Sequence, residues 1–350
     1  MTLFTRLHLR RHSARLLVLA LILAIPLLLT GCTGKTIVAP GIGDAENALF
    51  TNDGRLFVTG GTNIYEITPT AVVAQCYQQN NHCGLAQAGN YIYALRNKVN
   101  AGALFQPLPL DQMLKPGGAN TVIQQFKCTL SQSILLRAEL KPGKLDFQEI
   151  YTFPNMFIAN GMVTDGQGHL YIADETFAPV GKIVRLTLSA NNPPEVTEEK
   201  TWAAQSNGIS SLNGMAIRDN FIYFTDFNFL TLTTYVKKVE ILPSGDPGPV
   251  KTIFSRISFF DDLDTGDYKG IRGIAVSDYL RGSIVFLKDN GTRRWIADGE
   301  TSAGAFQSPS SVHVGQPPMF TNQDLIVTEK GIMFENNSNI GNKVTKVTAP

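Results

Sequence analysis

The sequence predicts an all-β chain, a six-bladed β-propeller with four antiparallel strands per blade, on three observations. The first is a repeated unit. Residues 160–174 read NGMVTDGQGHLYIAD, two apolar runs joined by the tight turn Asp165-Gly166-Gln167-Gly168, which is the pattern of an antiparallel hairpin. The unit returns at residues 213–226 (NGMAIRDNFIYFTD), and weaker copies begin at Glu46, at Asp261-Asp262 and at Ser308. The second observation is spacing. The openings at 160, 213, 262 and 310 lie 53, 49 and 48 residues apart. Each unit goes on to a third run such as Lys182–Leu188 or 235–242 and a fourth such as 250–254. Four strands per period of that length mark a propeller. The third is composition. Phe, Tyr, Val, Ile and Thr gather in short runs bounded by Gly, Pro, Asn and Asp, with only 17% charged residues and no sustained helical period.

Residues 1–31 read as a targeting segment. Arg6, Arg10, Arg11 and Arg15 make a basic start, and residues 16–29 are an apolar run of 14. That run is short for a membrane span and suited to a signal core. It ends in Leu29-Thr30-Gly31-Cys32, which resembles the bacterial lipoprotein processing box, where cleavage precedes the Cys and acyl chains are attached to it. More than one acyl chain anchors stably. The expectation is a lipid-anchored protein on the periplasmic side of a bacterial envelope, at the outer membrane in preference to the inner. Removing the segment takes four Arg and no acid from 30 basic and 29 acidic residues, which leaves 26 against 29, a formal −3. No basic tract survives, so nucleic acid is excluded as a partner. Residues 29–36 (LTGCTGKT) have the outline of a phosphate loop, but Leu29 stands where Gly is required and no strand precedes it.

Residues 32–43 are the lipidated tether, in which Thr36-Ile37-Val38 is expected to pair with the last blade and close the ring. The propeller takes residues 44–350. Blade 1 starts at Glu46. Blade 2 opens at His82-Cys83-Gly84-Leu85, is interrupted by a Pro- and Gly-rich insertion at 97–127, and resumes with 134–140 and 145–153. The insertion reads as a lid over the site or as surface decoration. Blades 3, 4 and 5 open at Asn160, Asn213 and Asp261/Asp262, and blade 6 runs from Ser308 to Lys343–Val347. Exported chains form disulfides. Of Cys76, Cys83 and Cys128, the first two flank a turn-like segment and are the favoured pair, with Cys83–Cys128 as the alternative. No Cys/His constellation points to thiol catalysis.

In a propeller, the loop opening each innermost strand and the loop after the second strand lie on one face, around the channel. The repeat therefore puts Glu46, Asn160, Asn213 and Asp262 in one ring, each from a different blade. Two carboxylates and two amides offer hard oxygen, the donor type that Ca²⁺ takes. Four protein ligands leave room for water or substrate, as metal-assisted hydrolysis requires. Asn-Gly at such a place also serves as a plain turn. Asp174, Asp226 and Asp278 recur after the second strand of blades 3, 4 and 5, which marks them as structural acceptors. His82 at a blade opening, His169 in a hairpin turn on the opposite face and His313 within an inner strand fit structural roles as well. No Gly-x-Ser-x-Gly elbow is present. Two tryptophans, Trp202 and Trp295, are too few for the repeated docking of quinoprotein-type propellers.

The ordered series of Glu46, two Asn-Gly-Met openings and an acidic blade 5 resembles the gluconolactonase / senescence-marker-protein (regucalcin-like) family over about residues 44–335. Strictosidine synthases and paraoxonase-type lactonases are more distant relatives. The resemblance implies a divalent metal, Ca²⁺ first and Zn²⁺ as the alternative, held by Glu46, Asn160, Asn213 and Asp262, with Asp262 also the base. Two departures stand out. Glu46-Asn47-Ala48 replaces Glu-Gly-Pro, and Asp261-Asp262-Leu263 replaces Asp-Gly-Met, which leaves the register of the acid open by one. The expected function is an envelope-anchored, metal-dependent lactonase or esterase. Its partners would be a small lactone or ester, the membrane through the N-terminal lipid only, and an envelope protein as a further candidate. The alternative is a non-catalytic propeller lipoprotein that binds a ligand or protein.

Overall fold

A computed structural model describes residues 34–75, 82–99, 131–176, 180–297, 306–331 and 340–348. The targeting segment with Cys32, Cys76, Cys128, and all of the expected insertion beyond its first three residues lie outside them. Strand β1 (Lys35–Pro40) precedes the blades. Blade 1 is β2 (Ala48–Phe50), β3 (Leu56–Thr59), β4 (Ile64–Ile67) and β5 (Val72–Ala74). Blade 2 is β6 (His82–Ala88), β7 (Tyr91–Val99), β8 (Ser131–Glu139) and β9 (Gln148–Thr152). Blade 3 is β10 (Ile158–Thr164), β11 (His169–Glu175), β12 (Lys182–Leu188) and β13 (Val196–Ala203). Blade 4 is β14 (Leu212–Arg218), β15 (Phe221–Asn228), β16 (Thr233–Glu240) and β17 (Lys251–Ile257). Blade 5 is β18 (Phe260–Tyr268), β19 (Ile271–Asp278), β20 (Ser283–Lys288) and β21 (Arg293–Ala297). Blade 6 is β22 (Pro309–Val314), β23 (Leu325–Glu329), β24 (Lys343–Val347) and, at its outer edge, β1.

The innermost strands β2, β6, β10, β14, β18 and β22 touch in that order, and β22 returns to β2. The ring is closed. Its seam is the one the sequence predicts. β1 runs antiparallel to β24, with Lys35 opposite Val347 and Pro40 opposite Lys343, so the last blade is sewn from both ends of the chain. Closure of this kind leaves no inner edge for another chain to pair with.

The period-two pattern within strands becomes the packing between blades. On β11, Leu170 and Ile172 pack toward Tyr93 and Leu135 of blade 2, while Tyr171 and Ala173 pack toward Leu212 and Phe224 of blade 4. A one-residue slip would exchange the two faces, so burial on both sides pins the register. The hairpin turn of blade 3 is fixed locally: Asp165 Oδ1 accepts the Gln167 amide at 2.8 Å, and Gly166 and Gly168 take φ of 72° and 92°.

Two sequence boundaries move. β7 continues through Asn97–Val99, opposite Ser133–Ser131, so the first residues assigned to the insertion extend a hairpin instead. Asn160-Gly161 and Asn213-Gly214 are strand residues rather than turns. Gly161 is required there by crowding. A Cβ on it would stand 2.5 Å from the Asn213 carbonyl oxygen of the next inner strand.

Candidate functional site

Register builds the site. Five of the six inner strands carry a bulge at one place, between His82 and Leu85, Ala159 and Met162, Leu212 and Met215, Phe260 and Leu263, and Pro309 and Ser311. A bulge re-aims the residues it frees from the ladder. Hydroxyls on the second strands clamp the bulged backbone. The Thr225 hydroxyl oxygen accepts the Gly214 amide at 2.9 Å, Ser277 accepts Asp262 at 2.9 Å, and Thr328 accepts Ser311 at 2.7 Å. In blade 1, Thr59 Oγ1 accepts the Asn47 amide at 3.0 Å. Counting back one residue from each clamped amide gives a ring of Glu46, Asn213, Asp261 and Ser310, and the bulges add Cys83 and Asn160. All six are buried.

The acid of blade 5 at the position of Asn160 and Asn213 is therefore Asp261, not Asp262. Asp262 takes the position of Gly161 and Gly214, so the residue in register with the two asparagines stands one before the Asp262 that the sequence analysis chose as ligand and base. The bulge decides this, and two adjacent aspartates in the sequence give no sign of it. Asp262 Oδ1 accepts the Leu263 amide at 2.8 Å and Oδ2 accepts Asn47 Nδ2 at 3.0 Å. It lies in a lower layer with His313, whose Nδ1 is 3.6 Å from Asp264 Oδ2. Burial there raises the Asp262 pKa to about 7 against the pull of His313.

A second ring lies at or near the ends of the second strands of blades 2 to 6. It holds Asn97, Glu175, Phe227, Tyr279 and Lys330, each one residue beyond the partner of the residue before the bulge. Glu175 joins blades 3 and 4, because Asn160 Nδ2 donates to its Oε2 at 2.9 Å and Asn213 Nδ2 to its Oε1 at 3.4 Å. Those bonds leave both amide oxygens for other partners. Lys330 donates to Glu46 Oε2 and stands 3.7 Å from Asp44 Oδ1. The Asp261 carboxylate receives no hydrogen bond from the described residues. Neither Glu175 nor Lys330 was legible in the sequence, since each occurs in one blade only.

The electrostatics are those of crowded, buried acids. Burial raises Glu175 to about 7, opposed by the Asn160 hydrogen bond and helped by the Glu46 charge. Burial pushes Asp261 well above the ordinary carboxylate range, and Glu46 adds to the push. Glu46 is raised by burial against the attraction of Lys330. Lys330 stays charged: burial would lower it, but Glu46, Asp44 and Asp261 together hold it well above its usual value.

The remaining candidates are structural. Asp174 Oδ1 accepts the Phe157 amide at 2.6 Å, Asp226 Oδ1 accepts the Ser211 amide at 2.7 Å and Asp278 Oδ1 accepts the Ser258 hydroxyl at 2.5 Å. Each fastens the segment leading into an inner strand. His169 Nδ1 lies 2.7 Å from Asp165 Oδ2 in the hairpin turn, away from the rings. Burial pushes His82 down to about 4.

Among the described residues no three His, Cys, Asp or Glu side chains form a ready metal cluster. Glu46, Asn160, Asn213 and Asp261 nevertheless form a donor set that fits a hard divalent ion. Two buried carboxylates bring charge, two amides bring neutral oxygen, and the Asp261 carboxylate has no donor among the described residues. Lys330 is the competing positive charge on Glu46.

The fold and the ring thus define a six-bladed propeller with an acid- and amide-lined channel mouth. No protein-family model matches the chain, and no curated protein sequence does. Solved structures match it by fold. A gluconolactonase of Xanthomonas campestris is 10% identical with a TM-score of 0.58, over 90% of this chain and 89% of that one. A calcium-binding regucalcin of Agrobacterium tumefaciens is 13% identical with a TM-score of 0.57, over 92% and 96%. The PQQ-bound aldose sugar dehydrogenase of Streptomyces coelicolor is 13% identical with a TM-score of 0.56, over 92% and 100%. Structural neighbours thus include proteins of the family that the sequence resembles. At these identities the likeness establishes the fold alone.

Proposed function

We propose that the channel mouth is the active site of a divalent-cation-dependent hydrolase of a small lactone or ester, in a chain anchored to a bacterial envelope through Cys32. One observation supports the chemistry above the others. Glu46, Asn160, Asn213 and Asp261, from four blades, lie in one buried ring beside a fifth group, Glu175, a carboxylate held by the two asparagines and placed to accept a proton.

Glu46, Asn160, Asn213 and Asp261 would hold the cation. When bound, it supplies the charge that polarises a carbonyl and offsets the negative charge developing on its oxygen. Glu175, fixed by two amides, accepts a proton from the attacking water. The water oxygen bonds to the carbonyl carbon, the carbon–oxygen bond of the lactone or ester breaks, and the proton passes from Glu175 to the departing oxygen. The product of a lactone is its hydroxy acid. The Lys330 ammonium donates to Glu46 and partly offsets the burial that raises its pKa, and Tyr279, raised to about 12 mainly by burial, stays neutral. Burial excludes bulk water, which strengthens each of these interactions.

The Lys330–Glu46 pair favours a second reading, in which the lysine is the permanent cation of the ring and the propeller binds a ligand without turnover. The deciding experiment is acid release from a panel of lactones and esters by metal-stripped protein, with and without added Ca²⁺, Zn²⁺, Mg²⁺ or Mn²⁺. Metal-dependent release supports the hydrolase. Its absence under every condition leaves the binder.

A further inference from the structure

The second ring is chemically divided. Blades 3 and 6 contribute Glu175 and Lys330, whereas blades 4 and 5 place Phe227 and Tyr279 at the same ladder position. Phe227 packs edge-on against Phe229 with ring centres 4.5 Å apart and against Phe259 at 5.1 Å. Phe259 packs against Tyr279 at 6.1 Å. These four rings form one wall running from β15 to β19. At its inner end the Tyr279 hydroxyl donates to the Gly331 carbonyl at 3.2 Å, beside Lys330.

At its outer end the wall meets solvent. Leu230 is 86% exposed, Leu232 47%, Ile257 67% and Leu280 54%. They account for half of the eight exposed large apolar residues among the described residues, and they lie on the β15–β16 loop, at the end of β17 and on the β19–β20 loop of two neighbouring blades. Thr233 stands opposite Ile257, and Arg281 donates to the Ile257 carbonyl at 3.2 Å, so the loops form one rim. Packing explains the buried rings, but four leucine-type side chains held in water stabilise nothing in the chain itself. Polar groups of the rim are engaged within it: the Thr233 hydroxyl donates to the Thr231 carbonyl at 3.2 Å, and Arg281 is held by the Ile257 carbonyl. Asn228 Oδ1 is taken by the loop's own backbone, at 2.9 Å from the Leu230 amide.

We propose that this wall is the subsite for an apolar tail on the substrate, so that the lactone or ester opened at the ring carries an alkyl or aryl chain instead of sugar hydroxyls. The inference rests on the reading of the ring as a hydrolytic site. Continuity carries it: Tyr279 belongs to the wall and to the second ring, so a group held at Asp261 and Glu175 extends its chain over Phe259 and Phe227 toward the leucine rim.

The test uses the full chain, with unlipidated Cys32→Ser as a check against partition into lipid, and γ-lactones with side chains of about one to six carbons. Binding is measured by calorimetry and hydrolysis by acid release. Affinity should tighten by up to about fourfold per added methylene that is buried. Combined Leu230→Ser, Leu232→Ser and Leu280→Ser, all at exposed positions, should flatten that slope and leave the shortest lactone unchanged. A flat slope in the wild type, or an unchanged slope in the variant, overturns the proposal. Hydrolysis of short lactones with a flat slope removes the tail subsite and keeps the ring. A leucine-dependent slope without hydrolysis under any metal keeps the subsite and removes the lactonase. Leucine-dependent adhesion to phospholipid vesicles with no effect on lactone binding assigns the rim to a lipid surface, and the proposal falls.

Discussion

A carboxylate that receives an amide on each oxygen, from two neighbouring blades, has little freedom left, and Glu175 is held in this way by Asn160 and Asn213. Glu175→Gln keeps the size and removes the base, at the loss of one of the two amide bonds. Lactone hydrolysis should fall by about 10²-fold or more, the usual contribution of a general base, while the fold is kept with melting lowered by a few degrees at most. Acid-release assays beside thermal melts check both halves, and a fully active variant removes Glu175 from the mechanism. His82 gives a prediction for stability. Burial lowers its pKa from 6.5 to about 4, so between these values the unfolded chain takes up a proton that the folded chain refuses. Folding then grows less favourable as pH falls from about 6.5 toward 4, by up to about 3 kcal/mol from this group. His82→Gln should lose less stability than the wild type over that window, whatever its stability at pH 8. Parallel pH dependences in denaturant titrations would remove His82 as the cause. The sequence singled out Asn160 and Asn213, because a pair of identical openings repeats. It could not show Glu175 or Lys330, which have no counterpart in other blades, nor choose between Asp261 and Asp262, because a bulge is a property of the paired backbone.

The strands were far more legible than the site. Alternation and turn residues located them, since each blade is buried on both faces and every slip exposes an apolar row. The closing strand was legible for the same reason: an isolated apolar run ahead of blade 1 has one free edge to pair with. The seam deserves its own test, because β1 is the outer strand of blade 6 and holds Lys35 2.8 Å from Glu329. Truncating the chain to begin at Gly41 removes that ladder and uncovers β24. The net loss of several hydrogen bonds at about 1 kcal/mol each predicts destabilisation on the order of 3–5 kcal/mol and a tendency to pair edge to edge. Differential scanning calorimetry with light scattering reads both effects. A truncated chain that melts like the wild type and stays monomeric would mean that the ring closes without its seam.

At the scale of the whole molecule, the proposed anchorage and metal binding each call on residues far apart in sequence or outside the fold. Cys32→Ser should leave the protein in the soluble fraction or unprocessed, and a variant that fractionates with membranes as before would refute the lipid anchor. The metal prediction tests the ring as a whole, because Glu46, Asn160, Asn213 and Asp261 meet only in the closed propeller. An ion bound to the folded state alone stabilises it by about 2.7 kcal/mol at a hundredfold excess over its Kd. For a chain of this size each kcal/mol corresponds to roughly 1.5 °C in melting temperature. Ca²⁺ added to metal-stripped protein should therefore raise melting by about 4 °C at a hundredfold excess over its Kd. Asp261→Ala should abolish most of that rise, whereas Asp262→Ala, one residue along and engaged with Asn47, should keep it. Lys330 makes the test sharper. Its ammonium occupies a Glu46 oxygen that the ion needs, so Lys330→Met should move the same rise to lower Ca²⁺ concentration. If the lysine is instead the ring's permanent cation, Lys330→Met should simply destabilise the protein, and Ca²⁺, Zn²⁺, Mg²⁺ and Mn²⁺ should all leave wild-type melting where it was. That outcome would end the metal-dependent hydrolase and leave a propeller whose buried acids are balanced by one lysine.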